Sequence, residues 1–312
     1  MQQAIARIND FKGPLISLFF CVWLCSLSGC STKQNSFNDT DSGQVDSLII
    51  IQKINSRTLL VNFGYDAITA IETDQGIVIV DAGISSELTA RFRKLIENVF
   101  QSDKFIYVIN THGHHDHIGG NTVFPQAAIV GHDSCSIDAA GRWNNPSKSM
   151  KRLSNIIEDY EEQLQEFSPN TAEWNDIFTQ KIRYKGAYSD LNNGVICRLP
   201  DVTFSDSLTL ELGDTKFEII YFGKAHSNSD IVIFIPELKL IFTGDLFSKY
   251  GRPGMDLSSM DDKRWIETTD WIQKRINRIE KVIGGHGQIM SKDDLKQFSD
   301  NILISNTNRT KF

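Results

Sequence analysis

The chain has 312 residues, 40% of them hydrophobic and 23% charged. It can bury a sizeable core, and its composition excludes collagen-like or generally disordered chains. A net charge of -7 at pH 7 argues against a nucleic-acid partner, because phosphate binding needs a basic face, and it fits a site that binds cations.

Arg7 and Lys12 precede an apolar stretch from Pro14 to Leu27. That stretch is short for a membrane-spanning helix and suits a secretory signal. It ends in Leu27-Ser28-Gly29-Cys30, which resembles a bacterial lipobox. Residues 1–29 are therefore expected to be a lipoprotein signal peptide, cleaved so that Cys30 becomes the lipidated N-terminus. The rival reading is an ordinary secretory signal with a chance cysteine. Residues 30–46 are polar and are expected to tether the lipid to the domain flexibly. Ser31 follows the cysteine, and the same resemblance then favours the periplasmic face of a Gram-negative outer membrane. The expected partners are a small-molecule substrate and, through the lipid, a membrane of the cell envelope. Cys21 and Cys25 leave with the signal. Cys135 and Cys197 remain, too few for a disulfide scaffold, and are read as separate buried thiols.

Residues 47–312 are expected to form the folded domain. Residues 48–51 and 58–63 are strand-like, and residues 68–72 and 76–80 pair across a turn at Thr73-Asp74-Gln75-Gly76. Leu88, Phe92, Leu95, Ile96 and Val99 recur at helical spacing. Phe105-Ile106-Tyr107-Val108-Ile109 is a continuous apolar run, as a buried strand requires. Residues 145–193 are less strand-like and are taken as a helical insertion, with Met150, Leu153, Ile157, Tyr160, Leu164 and Phe167 on one helix face and Pro169 ending or bending it. A second strand-and-helix series begins near Cys197, with strands at 208–212, 217–221, 231–235 and 240–242. A helix carrying Trp265, Ile266, Thr269, Ile272, Ile276 and Ile279 follows, then a strand at Val282-Ile283 and a helix over Lys292–Leu303. This pattern supports an α/β layered domain.

The chemistry concentrates in Thr111-His112-Gly113-His114-His115-Asp116-His117, directly after the buried run. Polar groups at such a place need partners, and imidazole nitrogen with carboxylate oxygen suits zinc. In extended backbone His112 and His114 share a side while Asp116 and His117 turn away, so one loop can serve two adjacent metals.

His112-x-His114-x-Asp116-His117 resembles the signature of the metallo-β-lactamase superfamily. The other motifs of that family follow in order: Val80-Asp81-Ala82-Gly83, Gly223-Lys224-Ala225-His226-Ser227, Phe242-Thr243-Gly244-Asp245-Leu246 and Gly284-Gly285-His286-Gly287. Taken singly, Asp81 is a turn cap, His226 a structural histidine, Asp245 a turn aspartate and the last motif a flexible turn. Their weight comes from the ordered set. The resemblance implies a four-layer αββα sandwich, two mixed sheets with helices outside. It implies one zinc on His112, His114 and His226, another on Asp116, His117 and His286, and Asp245 bridging them. Asp81 would steady the histidine loop from behind.

The activity implied is hydrolysis of a small ester, thioester, lactone or amide by a hydroxide between the metals. Asp116 would be the catalytic residue that orients the nucleophile and takes its proton. Asp245 stands where zinc β-lactamases usually carry cysteine or serine, which counts against a purely antibiotic-cleaving role. Its oxygens also leave iron or manganese open as alternatives to zinc. Two rival readings stand: a β-lactamase-like hydrolase of cyclic amides, and a non-catalytic metal-binding envelope lipoprotein. His115 is expected to face solvent or substrate and His132 to be structural. Tyr250, Arg252 and Met255 are candidates for the pocket rim, with Arg252 suited to a substrate carboxylate.

Overall fold

A computed structural model of the protein describes residues 39–247 and 262–297. The expected signal peptide, Cys30, and the rim candidates Tyr250, Arg252 and Met255 lie outside the described residues. Among those described, no helix is long and apolar enough to cross a membrane.

The elements in chain order are α1 (Asp39–Leu48), β1 (Ile50–Asn55), β2 (Thr58–Phe63), β3 (Asp66–Thr73), β4 (Gly76–Val80), α2 (Ser86–Phe100), β5 (Phe105–Ile109), α3 (His115–Ile118), β6 (Ala128–His132) and α4 (Cys135–Trp143). Then come α5 (Pro146–Gln163), α6 (Ala172–Asn192), β7 (Val202–Phe204), β8 (Ser207–Leu212), β9 (Thr215–Tyr221), β10 (Ile231–Ile235), β11 (Leu240–Gly244), α7 (Asp262–Gln273), β12 (Lys281–Gly284) and β13 (Ile289–Ser291). One sheet has seven strands, ordered β1 through β7; the other has six, ordered β13-β12-β11-β10-β9-β8. Both are mixed. β4 through β7 run parallel to their neighbours and β1 through β4 antiparallel, while β11 and β12 form the one parallel pair of the second sheet.

Apolar side chains sort by strand parity. Leu59 and Val61 of β2, with Ile77 and Ile79 of β4, pack under α2 and α6; Leu60, Val78 and Val80 point the other way, between the sheets. In β10, Ile231, Ile233 and Ile235 meet them there, while Val232 and Phe234 turn outward to Ile272 of α7. A strand covered on both faces has no polar side to show, which is why these segments are unbroken apolar runs. The layers are therefore helix, sheet, sheet, helix.

Caps fix the helix starts. Ser85 precedes α2 and accepts a hydrogen bond from the Leu88 amide; Asn145 does the same for α5 with Lys148, and Thr171 for α6 with Trp174. Pro169, expected to end or bend the helix, lies in the link between α5 and α6; α5 already ends at Gln163 and passes into a 3-10 turn over Leu164–Glu166. The four strands expected after Cys197 are β8 through β11 of the second sheet, and a short strand not expected there, β7, joins the first sheet parallel to β6. Residues 292–297 are helical, the beginning of the closing helix expected there. Among the described residues the two cysteines are free thiols; Cys135 is buried and Cys197 half-buried, and they share one small apolar cluster with Ile118 and Ala139. Burial pushes the Cys197 thiol up to about 12, which keeps it protonated.

Composition assigns residues 30–46 to a flexible tether, but Asp39–Leu48 folds as α1. Its one buried apolar anchor, Val45, has 0% exposure and joins the core beneath α2 and α6. Ion pairs from Asp46 to Arg91 and from Asp41 to Lys185, the latter 3.0 Å, hold the helix down. A charge at a buried site without a partner is strongly unfavourable. Val45→Asp is accordingly expected to destabilise the domain by about 3 kcal/mol in urea unfolding followed by fluorescence. A tether residue would tolerate the change.

Candidate metal centre

The motifs sit at one edge of the sandwich because their strands end there. Asp81 directly follows β4, the histidine loop follows β5, Asp245 follows β11 and His286 lies just past β12. β4 and β5 are parallel, as are β11 and β12, so each pair delivers its following loops to the same side. His226 arrives from the loop between β9 and β10. The structure brings His112, His114, Asp116, His117, His226, Asp245 and His286 together into overlapping clusters, within each of which the ligand atoms lie no more than 4.8 Å apart.

One group is three nitrogens. His114 Nδ1 lies 3.0 Å from His112 Nε2 and 3.0 Å from His226 Nε2. The edge of a tetrahedron with zinc–nitrogen bonds of 2.0–2.1 Å is about 3.3 Å, so the spacing is close to that of ligands around one ion. The other group is Asp116, His117 and His286, with Asp116 Oδ1 3.9 Å from His117 Nε2. Asp245 touches both: Oδ2 is 3.5 Å from His226 Nε2 and 3.1 Å from His286 Nε2, and Oδ1 is 3.6 Å from His117 Nε2.

Among the described residues, His117 Nε2 and Asp245 Oδ1 are buried with no hydrogen-bond partner. Buried polar atoms are normally satisfied; an ion between them would satisfy both. The electrostatics agree. Burial lowers the proton affinity of His117, yet Asp245, Asp81 and Asp116 around it raise its pKa well above the usual value. The carboxylates here want more positive charge than neutral imidazoles provide. His112 is the contrast: burial drives its pKa well down, leaving a neutral ring able to donate a lone pair. The donor set and its orphaned atoms fit divalent metal.

Behind the candidate ligands, hydrogen bonds set the orientation of two of the rings. Asp81 Oδ1 accepts from the Thr111 amide at 2.7 Å, and Oδ2 accepts from Thr111 Oγ1 and His117 Nδ1, both at 2.9 Å. The His117 Nε2 atom is thereby turned to the site. His286 Nδ1 donates to the Tyr65 carbonyl at 2.7 Å, with the same result. Asp138 of α4 accepts from Asn228 and Ser229, while Ser229 Oγ accepts from the Gly113 amide at 2.9 Å, so the His226 loop is fastened to the histidine loop. A Cβ at Gly285 would stand 2.3 Å from Asp245 Oδ1 and 2.8 Å from His117 Cε1, which is why a glycine precedes His286.

Several supports were not anticipated from the sequence. Asn110 and Asn121 pair their amides at 2.9 and 3.0 Å beneath the loop. Arg183 of α6 places Nη2 3.5 Å from Asp116 Oδ2. Asp66, also near Arg183, is pushed up to about 6 by burial, with Arg183 opposing. Arg183 is buried in a helix whose other buried residues include Phe178, Ile182 and Ala187; an arginine at that spacing is the signal that was available. His115 lines a cavity beside the site together with His114. His132 is structural: it stacks on Tyr221 at 3.6 Å and bonds to Ser205 and Ser134.

The sequence model of a family described as the metallo-beta-lactamase superfamily matches residues 62–286. A metallo-beta-lactamase type 2 of Bacillus sp. (strain 170) is 24% identical over 301 residues, covering 90% of this chain and 95% of that protein. The protein of the same name from Bacillus cereus is 22% identical over 295 residues, covering 89% and 94%. A solved metallo-beta-lactamase from Pontibacter korlensis shares the fold with a TM-score of 0.55 at 17% identity, covering 82% of this chain and 99% of its own. An inverting sec-alkylsulfatase from Pseudomonas sp. does so at 0.54 and 17%, covering 86% of this chain and 43% of its own.

Replacing Asp81 by alanine removes the acceptor for Thr111 and His117 at once. Metal affinity is expected to fall about 10–100-fold in competition titrations with a chromogenic chelator. An unchanged affinity would reduce Asp81 to a turn cap.

Proposed function

The chain belongs to the metallo-β-lactamase superfamily, and we propose that it is a dinuclear zinc hydrolase of a small ester, thioester, lactone or amide. The carrying observation is the meeting of two ligand groups on one carboxylate, Asp245. His112, His114 and His226 would hold one ion; Asp116, His117 and His286 would hold the other. Zinc held there would supply Lewis acidity, making water nucleophilic near neutral pH and polarising the scissile carbonyl.

The protein's own groups do the rest. Burial pushes the Asp116 carboxyl up, but His115, His117, His286 and Arg183 outweigh it and keep it well below the usual carboxylate range. Asp116 is thus ionised, the form that can bind a metal ion and accept a hydrogen bond from water. Arg183 engages Oδ2 and leaves Oδ1 toward His117, so the carboxylate is held in one orientation for the attacking water. Asp81 and Tyr65 hold two imidazoles by their far nitrogens, which limits reorganisation during the reaction. Cyclic amides are the second reading, because the curated relatives carry the name metallo-beta-lactamase.

Chelation of the purified protein should abolish turnover on ester, thioester, lactone and β-lactam panels, and zinc should restore it. Metal analysis should return about two ions per chain. Asp116→Ala should lower kcat about 10²–10⁴-fold. A metal-loaded protein inactive on every panel would favour the non-catalytic reading.

We further propose that the protein is anchored in the cell envelope through Cys30, on the support of Arg7, Lys12, the apolar run and Leu27-Ser28-Gly29-Cys30. Cys30→Ser should abolish incorporation of labelled palmitate and move the protein out of the membrane fraction. Retained label would overturn the anchor.

A further inference from the structure

We infer that the cavity beside the histidine loop recognises an oxyanion carried by the substrate, with Arg142 as its inner anchor. The inference rests on the hydrolytic reading above and specifies its substrate class. The cavity holds about 290 Å³ and is lined by His114 and His115 on the metal side, with Arg142, Arg152, Leu153 and Tyr184 among its other walls. It therefore opens from the reacting centre into the space between α4, α5 and α6.

Arg142 is 9% exposed. Among the described residues its guanidinium has no ion pair or hydrogen bond; its neighbour is the Trp143 ring, 5.7 Å away. The acidic groups around it are engaged elsewhere. Asp138 accepts from Asn228 and Ser229, Asp190 accepts from Ser86, and Asp116 faces Arg183. Burial lowers the Arg142 pKa to about 10, which leaves it charged at neutral pH. Burying a cation without a counter-ion costs several kcal/mol, and an anion entering the cavity recovers that cost. The guanidinium fork suits a carboxylate bidentately and also accommodates tetrahedral oxyanions.

A second observation is independent of the first. The cavity continues outward into a cleft lined by Lys148, Lys151 and Arg152 of α5. None of these three has an ion pair among the described residues. A basic mouth on a chain of net charge -7 concentrates small anions locally against the overall field. The volume lies at the small end of ligand pockets, and Leu153, Ile156 and Ala139 supply apolar wall. The ligand is therefore a small molecule with a short apolar body, an oxyanion at one end and the scissile bond at the other.

The test uses two esters of equal carbon-chain length, mono-para-nitrophenyl glutarate and para-nitrophenyl pentanoate, with the zinc-loaded protein. The charged ester should be preferred in kcat/KM. Arg142→Gln should shrink that preference about ten-fold, mainly through KM. Calorimetric binding of glutarate or inorganic sulfate should weaken by a similar factor, and the tighter of the two identifies the head group. Arg152→Glu, at an exposed position, should also weaken binding and decides the matter if Arg142→Gln fails to fold. An ester preference and anion affinities unchanged by both substitutions would overturn the pocket. If neither ester is cleaved, the ester arm of the hydrolytic reading fails, and the thioester, lactone and β-lactam panels judge the remainder. Anion binding still judges the pocket then: loss of binding in the variants supports it, and no binding by the unsubstituted protein refutes it.

Discussion

A single carboxylate holds the two halves of the histidine loop to the sheet beneath. Asp81, at the end of β4 with φ of 59°, takes three hydrogen bonds from Thr111 and His117 across the parallel seam with β5. The left-handed backbone is unfavourable for a residue with a Cβ, though less so for aspartate than for most. Those hydrogen bonds, with the Asp81 amide bonded to the Ile109 carbonyl at 3.0 Å and the Ala82 amide to the His117 carbonyl at 2.7 Å, offset that strain. Without that arrangement neither the strand ends nor the His117 ring would have a defined position.

The rigid part of the molecule serves this edge. Two sheets packed on both faces give strands that cannot slide without exposing apolar side chains, so the loops they end in are fixed to within small displacements. Metal ligation requires such placement, since donors a fraction of an ångström out of position bind weakly. Three of the converging side chains are carboxylates behind or within the site, and their mutual repulsion when empty of cations is the converse of their affinity for them. Folding and metal binding are thus coupled: the scaffold supports an arrangement of charge that a cation stabilises.

The helical pair α5 and α6 gives the site a wall that the sheets cannot. From α6, Arg183 reaches Asp116; from α4 and α5, Arg142 and Arg152 line the adjoining cavity. On the reading proposed above, the sheet edge would hold the groups that meet the metal and the helices the charges that meet the rest of the substrate. Variation of α4 and α5 could then change the substrate with little effect on the sheet edge, whereas α6 carries Arg183 against Asp116.

Much of this was legible in the residue order. Doubly buried strands such as β5 and β10 show as apolar runs because both faces are covered. The ligand set shows because each motif directly follows, or lies close to, a strand end. The structure alone decided the facing nitrogens, with His114 presenting Nδ1 while His112 and His226 present Nε2, since ring rotation depends on distant acceptors. It also decided that Asp39–Leu48 is helical, because one buried valine and two ion pairs to α2 and α6 outweigh a polar composition. Arg142 and Arg183 passed unnoticed for a similar reason: a charge on a helix is usually solvated, and only packing against neighbouring helices buries it. Local pattern records which residues must leave water, whereas the partners they meet depend on contacts between segments far apart in the chain.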